Sequence, residues 1–244
     1  MNFLGLCFSD RPLAQICETL LARPANAPFA YVVTPNADHL DRLRRNPALR
    51  QTYEAALFRL FDSRFLARFA RLLGQYPPPV VTGADLTAML LPSLAGERAG
   101  VVGMNDAAFV ALQERFPRIN FIRHNPPMGL LHNQAAFAEA ARFVASANAR
   151  FVFFAIGSPV QELLAQDIAR QGQAAGLGLC IGAALEFAAG TRSRAPAWMQ
   201  RAGLEWLYRL CQEPRRLGPR YLLRAPRVLV LVLAEAVGFR AGYE

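Results

Sequence analysis

Short apolar runs alternate with amphipathic stretches along most of the chain. Runs bounded by turn residues predict strands at Asn2–Leu6, Phe29–Thr34, Ala56–Phe61, Gly100–Gly103, Ile119–Arg123, Arg150–Ile156 and Leu177–Ile181. Between them, apolar positions three and four apart predict helices at Pro12–Leu21, Ala37–Arg44, Pro47–Ala55, Arg64–Leu73, Leu86–Leu94, Asp106–Arg115, Gln134–Ala145 and Val160–Gln173. Strands separated by helices of this length imply βαβ units. The expected fold class is therefore α/β, a Rossmann-like, mainly parallel sheet with helices on both faces. The texture changes near Gly190. Beyond it, a helix is expected over Ala197–Cys211 and a shorter one over Gly218–Leu223, while Pro214, Pro219 and Pro226 forbid one long helix. The chain thus reads as an α/β core (1–189) followed by a basic helical C-terminal appendage (190–244).

Composition sharpens that division. With 244 residues and 53% hydrophobic content the chain can bury one sizeable core. All 27 basic residues are arginine, against 18 acids, for a net charge of +9. Nine of those arginines fall within 190–227, which holds only two acids, Glu205 and Glu213. The same stretch carries Trp198, Trp206, Tyr208 and Tyr221. Arginine mixed with aromatic residues suits a membrane surface or a nucleic acid, and no nucleic-acid motif accompanies it. No nucleic-acid partner is expected.

The opening residues, MNFLGLCFSD, lack the basic start and long apolar run of a signal peptide. A bilayer span needs about 20 apolar residues. The best candidate, Val228–Leu233, is too short, and extending it meets Glu235. Cys7, Cys17, Cys180 and Cys211 form no CxxC pair, and three of them lie in apolar surroundings, as buried thiols would. A cytoplasmic protein, peripheral on the inner face of the cell membrane, is expected.

In a parallel α/β sheet ligands gather beyond the carboxyl ends of the strands, and four polar segments fall there. Thr34-Pro35-Asn36 follows the second predicted strand, and helix capping by Asn36 is its bland reading. Asp62 ends the third strand among Phe58, Phe61 and Phe65. It is either a cap for the helix near Arg64 or a carboxylate whose pKa is raised by burial, as a general base requires. Thr82-Gly83-Ala84-Asp85 has capping-box spacing, with a glycine that admits close approach of a ligand. Gly157-Ser158-Pro159-Val160-Gln161-Glu162 follows a strong strand. Ser158 as cap and Pro159 at the first helical position would leave free amides, which suit an anion such as a nucleotide diphosphate. His124 leads into Asn125-Pro126-Pro127-Met128-Gly129, a stiff loop able to line a pocket.

Several chemistries lack their signatures. There is no GxxxxGK[ST] loop, no GxGxxG after an early strand and no D-x-D pair, and the three histidines have no ligand spacing. No cofactor and no metal are expected.

Taken in order, TPNADHL (34–40), the Asp62 strand end, VTGADL (81–86) and GSPVQE (157–162) resemble the WecG/TagA/CpsF family of glycosyltransferases. The most specific match is the run GAALEFAAGTRSRAPAWMQRAGLEWLYRLCQEPRRLGPRYL (182–222). The resemblance implies an inverting, metal-independent enzyme. It would move N-acetylmannosamine, N-acetylmannosaminuronic acid or glucose from a UDP-sugar donor to a polyprenyl-diphosphate-linked saccharide acceptor. The appendage would associate with the membrane. By position, Asp62 is similar to the family's catalytic base, and Thr34 and Asn36 to its accompanying polar pair. Gln161 is similar to a residue placed near the donor. Thr82, Gly83, Asp85, Gly157, Ser158 and Glu162 in the matched segments, and Arg209, Arg216 and Arg220 in the appendage, are then substrate-binding candidates. Two departures stand out. Asp62-Ser63 replaces the usual Asp-Gly, and a serine would resist a positive φ there; Val160 stands where the family often has lysine. Two other classes remain open, a different nucleotide-dependent Rossmann-type enzyme and a non-catalytic protein that binds lipid-linked saccharide. Whether the chain forms a homo-oligomer is also open.

Overall fold

The structure, a computed structural model, describes residues 1–218 and 225–237, apart from the side chains of Arg216 and Ala225. Its centre is a six-stranded parallel sheet: β3 (Ala30–Val33), β4 (Phe58–Arg59), β5 (Arg98–Gly103), β6 (Asn120–His124), β7 (Phe151–Ala155) and β8 (Leu177–Cys180), in the order β4-β3-β8-β7-β5-β6. Every neighbouring pair is parallel. The central strands are apolar on both faces, as a sheet covered by helices on either side demands. In β7, for example, Phe151, Val152, Phe153 and Phe154 are all fully buried.

The helices are α1 (Leu13–Ala22), α2 (Ala37–Arg45), α3 (Arg50–Glu54), α4 (Arg64–Leu72), α5 (Gly83–Leu90), α6 (Asp106–Arg115), α7 (Gln134–Ser146), α8 (Val160–Gln171) and α9 (Ala184–Ala189). Two hydrophobic clusters show that both faces of the sheet are covered. Leu40, Tyr53, Leu66, Ala140 and Leu164 belong to one, and Ile16, Leu86, Leu112 and Leu185 to the other.

The first expected strand departs from this plan. Asn2–Phe3 (β1) and Leu6–Cys7 (β2) form a separate antiparallel hairpin. Positive φ at Leu4 and Gly5 turns the chain within two residues, so the apolar run folds on itself instead of extending the sheet. Its Phe3 and Phe8 rings each meet Phe61 edge-on at 5.2 Å.

Beyond Gly190 come α10 (Ala197–Ala202), α11 (Glu205–Gln212), α12 (Pro214–Gly218) and α13 (Ala225–Ala236). The single helix expected over Ala197–Cys211 is therefore two. Gly203, at φ +72°, breaks it, and a Cβ there would stand 3.3 Å from the Phe65 backbone. Only glycine meets both demands comfortably. Helix α13 sets Val228 and Val232 into the same hydrophobic cluster as α2 and α4. Gln75 Nε2 donates to the Val232 carbonyl at 3.2 Å, and the Leu4 N–H to Glu235 at 3.3 Å. Among the described residues no helix is long and apolar enough to cross a membrane. The short helix expected at Gly218–Leu223 lies, but for Gly218, outside the described residues. Of the thiols, Cys17 and Cys180 are buried, while Cys7 and Cys211 are exposed. The apolar setting of the sequence thus overstated their burial by one residue.

Candidate active site

Where β3 and β4 end, the chain opens into a cavity of about 310 Å³. The core contributes Asn36, Ala37 and Asp38 from the start of α2, Asp62, Ser63, Arg64 and Phe65 around the start of α4, and Thr82. The C-terminal helices contribute Gly203, Glu205, Trp206, Arg209, Pro226 and Leu229. The site is thus closed by the basic segment that the sequence sets apart.

Asp62 lies just past the sheet edge, its N–H donating to the Pro35 carbonyl at 3.0 Å. The preceding residue, Phe61, bridges to Val80 and brings the 80–83 turn alongside. The cap of α4 is Ser63, whose hydroxyl accepts the Leu66 N–H at 3.2 Å. That leaves the Asp62 carboxylate to the cavity, where its Oδ2 accepts the Gly83 N–H at 3.3 Å. Burial pushes its pKa up to about 6, with the Gly83 bond and Arg209 pulling down and Glu205 and Asp85 pushing up. Proton affinity in this range lets one carboxylate both accept and release a proton near neutrality. Ser63 takes φ −152°, ordinary extended backbone, so a serine after this aspartate causes no strain.

Asn36 and Thr82 are the caps that their spacing suggested. Asn36 accepts the Asp38 N–H at 3.1 Å while His39 Nδ1 accepts its backbone N–H. Thr82 accepts the Asp85 N–H at 3.0 Å. Both also line the cavity. Thr34 does not. It is buried, its hydroxyl donating to the Cys180 carbonyl at 3.0 Å, and it sits where a Cβ on Gly83 would meet it at 3.4 Å. Thr34 thus ties β3 to the end of β8 and backs the glycine that bonds Asp62.

Asp85 joins a four-charge network. It pairs with Arg64 at 2.5 Å and with Arg194 at 2.8 Å. Glu205 approaches the same two arginines at 3.4 and 3.6 Å. Burial alone would raise the Asp85 pKa, but Arg194, Thr82 and Arg64 hold it below the usual carboxylate range. The network fastens α11 and the segment before α10 to α4 and α5. Nothing in the spacing of Arg64, Arg194 and Glu205 announces it.

The 157–162 segment is arranged otherwise than expected. Helix α8 begins at Val160, Pro159 occupies its cap position, and the Ser158–Pro159 peptide is cis. Ser158 is not a cap: its hydroxyl accepts Arg42 Nη1 at 2.7 Å and lies 3.3 Å from the Tyr53 hydroxyl. The Gln161 N–H is taken by the Gly157 carbonyl at 3.0 Å. Gln161 Nε2 donates to Glu162 at 2.9 Å, and its Oε1 accepts the Gly182 N–H at 3.2 Å. Glu162 is only 1% exposed, and burial raises its pKa. None of Gly157, Ser158, Gln161 and Glu162 lines the cavity. Ser158 reaches it through Arg42, which holds Ser158 on one side and cavity-lining Asp38, at 2.8 Å, on the other. The Asp38–Arg42 pair is legible as an i,i+4 helix pair; its link to Ser158 is not. The 124–129 loop, expected to line a pocket, contributes nothing to this cavity, and its Met128 is fully exposed.

Arg209 lines the cavity, lies over the Phe187 ring at 5.4 Å and has no ion pair among the described residues. Arg220 and the Arg216 side chain lie outside the described residues.

The sequence matches the family model for glycosyl transferases of the WecG/TagA/CpsF family over residues 1–242. The chain belongs to this family. As a WecG/TagA/CpsF glycosyltransferase it is an enzyme that acts on a sugar donor and an acceptor.

Proposed function

We propose that this glycosyltransferase moves a hexose or N-acetylhexosamine-type sugar, N-acetylmannosamine, N-acetylmannosaminuronic acid or glucose, from a UDP-sugar to a polyprenyl-diphosphate-linked saccharide, in cell-surface polysaccharide biosynthesis. Transfer is a single displacement with inversion. Asp62 takes the proton of the acceptor hydroxyl as its oxygen attacks the anomeric carbon, and the bond to UDP breaks with its electron pair leaving on the diphosphate. The observation that carries this reading is the Asp62 carboxylate itself. It is turned into the cavity, held by the Gly83 N–H and raised to a pKa of about 6. Asn36 and Thr82 flank it, and Thr34 acts through Gly83.

Arg209 neutralises a substrate phosphate beside Asp62, and Arg216 and Arg220 offset the charge gathered by departing UDP. Asp85 orders the wall through its two arginines. Gln161 and Glu162, with Gly157 and Ser158, fix the donor side by holding Gly182 and Arg42 in place. The sequence has no D-x-D pair for a metal-bridged diphosphate, and the mechanism is taken as metal-independent. The appendage holds the enzyme at the cytoplasmic face of the membrane, where the acceptor lies. At an anionic surface each arginine contributes about 1 kcal/mol.

The test is UDP release across a panel of UDP-hexoses with a synthetic prenyl-diphosphate saccharide as acceptor. One donor should give acceptor-dependent turnover that Asp62→Asn removes. Absence of turnover with every donor would reject the reading.

A further inference from the structure

The cavity has two unlike walls. One is polar: Asn36, Asp38, Asp62 and Thr82, all from the core. The other is apolar: Phe65, Trp206, Pro226 and Leu229, three of them from the C-terminal helices. The Phe65 and Trp206 rings pack at 5.7 Å, so these two form one continuous surface within the wall. Arg209 stands on the same helix as Trp206, in the cavity, with no ion pair among the described residues. A sugar finds hydrogen-bond partners on the polar wall and can stack on an aromatic ring, but it has no hydrocarbon part to cover Pro226 and Leu229 as well. A uracil ring could stack on Trp206, but its ring amide and carbonyl groups would lose water against Pro226 and Leu229. The occupant that matches all three features has a polar head, an adjoining anion and a hydrocarbon stem.

We propose that Phe65, Trp206, Pro226 and Leu229 seat the first isoprene units of a prenyl-phosphate acceptor, with Arg209 on its phosphate. This rests on the reading of the acceptor as lipid-linked, and adds that the enzyme recognises the hydrocarbon inside its active site, apart from any membrane. Helix α13 suits the task. Its Val228 and Val232 are locked into the core, Leu229 faces the cavity, and Val230 and Leu233 are exposed on the outer side, where a longer chain can continue. Burial of apolar area favours binding in proportion to the area covered, so the affinity should rise with the first units and level off where the wall ends.

The experiment needs no sugar transfer and no vesicles. In a Trp198→Phe background Trp206 is the sole tryptophan, and its emission reports on the wall itself. Methyl, dimethylallyl, geranyl and farnesyl diphosphates are titrated. The expected result is a saturable blue shift, with dimethylallyl at least tenfold tighter than methyl and farnesyl only a few-fold tighter than geranyl. Leu229→Asn should weaken prenyl binding about tenfold and leave methyl diphosphate unchanged, while Leu229→Met restores it. Affinity that is flat along the series in the Trp198→Phe protein, a comparison that needs no change at the wall, would overturn the seat. So would a Leu229→Asn loss equal for methyl and prenyl ligands. Sugar transfer to a methyl-diphosphate saccharide as fast as to a prenyl one would uphold glycosyl transfer and still overturn the seat. Prenyl binding as expected without transfer from any UDP-sugar would uphold the seat and reject the donor.

Discussion

The Gly83 N–H meets the Asp62 carboxylate across 3.3 Å, and these two residues come from separate turns at the carboxyl edge of the sheet. Behind the glycine stands Thr34, so close that a Cβ on Gly83 would already lie 3.4 Å from its hydroxyl. Thr34, Gly83 and Asp62 therefore form a stack that fixes where the carboxylate points, and the first prediction follows from it.

Asp62→Asn keeps an acceptor for Gly83 but cannot take a proton. Turnover should fall by about 10²-fold or more, the usual scale for losing a general base, with the fold intact. In the unchanged enzyme turnover should decline below about pH 6 as Asp62 is protonated. Steady-state rates from pH 5 to 8 check both; full turnover of the folded variant would remove Asp62 from the role.

Stability should show the opposite sign. The folded-state pKa of Asp62 is raised from 3.8 to about 6. Its stabilising contribution is thus present below the lower value and lost as pH rises through the upper one. Asp62→Asn should accordingly raise the melting temperature at pH 7 and bring little or no gain at pH 4. Equal gains at both values would show that the charge is not the cause.

Asp85 titrates the other way. Its pKa is lowered, so its contribution is full above the ordinary carboxylate value and fades as pH falls through the depressed one. Its partners are 21 and 27% exposed, between a surface pair and a buried one. Asp85→Ala should therefore cost roughly 1–3 kcal/mol, less than breaking a fully buried pair. Urea unfolding of Asp85→Ala, Arg194→Ala and the double variant gives the coupling; strict additivity would mean that the network does not fasten the C-terminal helices.

UDP should raise the melting temperature more than ADP or NAD does, since only a ligand of the native state stabilises it. Gln161→Ala leaves the half-buried Gly182 N–H without its partner, which costs about 0.5–1.5 kcal/mol, and it should also reduce the UDP shift. A full UDP shift in the destabilised variant would make Gln161 purely architectural.

Anionic vesicles should capture the protein, and the outer face of α13 should contribute. Val230 and Leu233 are 62 and 43% exposed, and a Val or Leu side chain that goes from water to full burial gains about 1.5–3 kcal/mol. Val230→Ser with Leu233→Ser should lower vesicle binding by at least about tenfold while sparing UDP binding. Salt should weaken what remains, because charges are screened beyond about 8 Å at physiological ionic strength. Unchanged co-sedimentation of the double variant would leave the face without that role.

What the sequence determined by itself is local. Seven apolar runs and the amphipathic stretches between them place the strands and helices, since each pattern reflects which neighbours a residue must meet within its own element. The caps at Asn36 and Thr82 are set by hydrogen bonds two and three residues away, and so were legible. Asp62 was legible as a candidate but ambiguous. A cap and a base need the same residue at the same strand end, and only the structure shows that Ser63 takes the cap and frees the carboxylate. The hairpin at Asn2–Cys7 was misread as a sheet strand because an apolar run does not say which edge it pairs with. The cavity itself was decided wholly by tertiary structure. Arg64, Glu205, Trp206 and Leu229 meet across up to 165 positions of chain, and Ser158 finds Arg42 across 116. No periodicity encodes such distances. They follow from how the sheet orders its strands and how α13 seats two valines in the core, which brings the C-terminal helices over the strand ends.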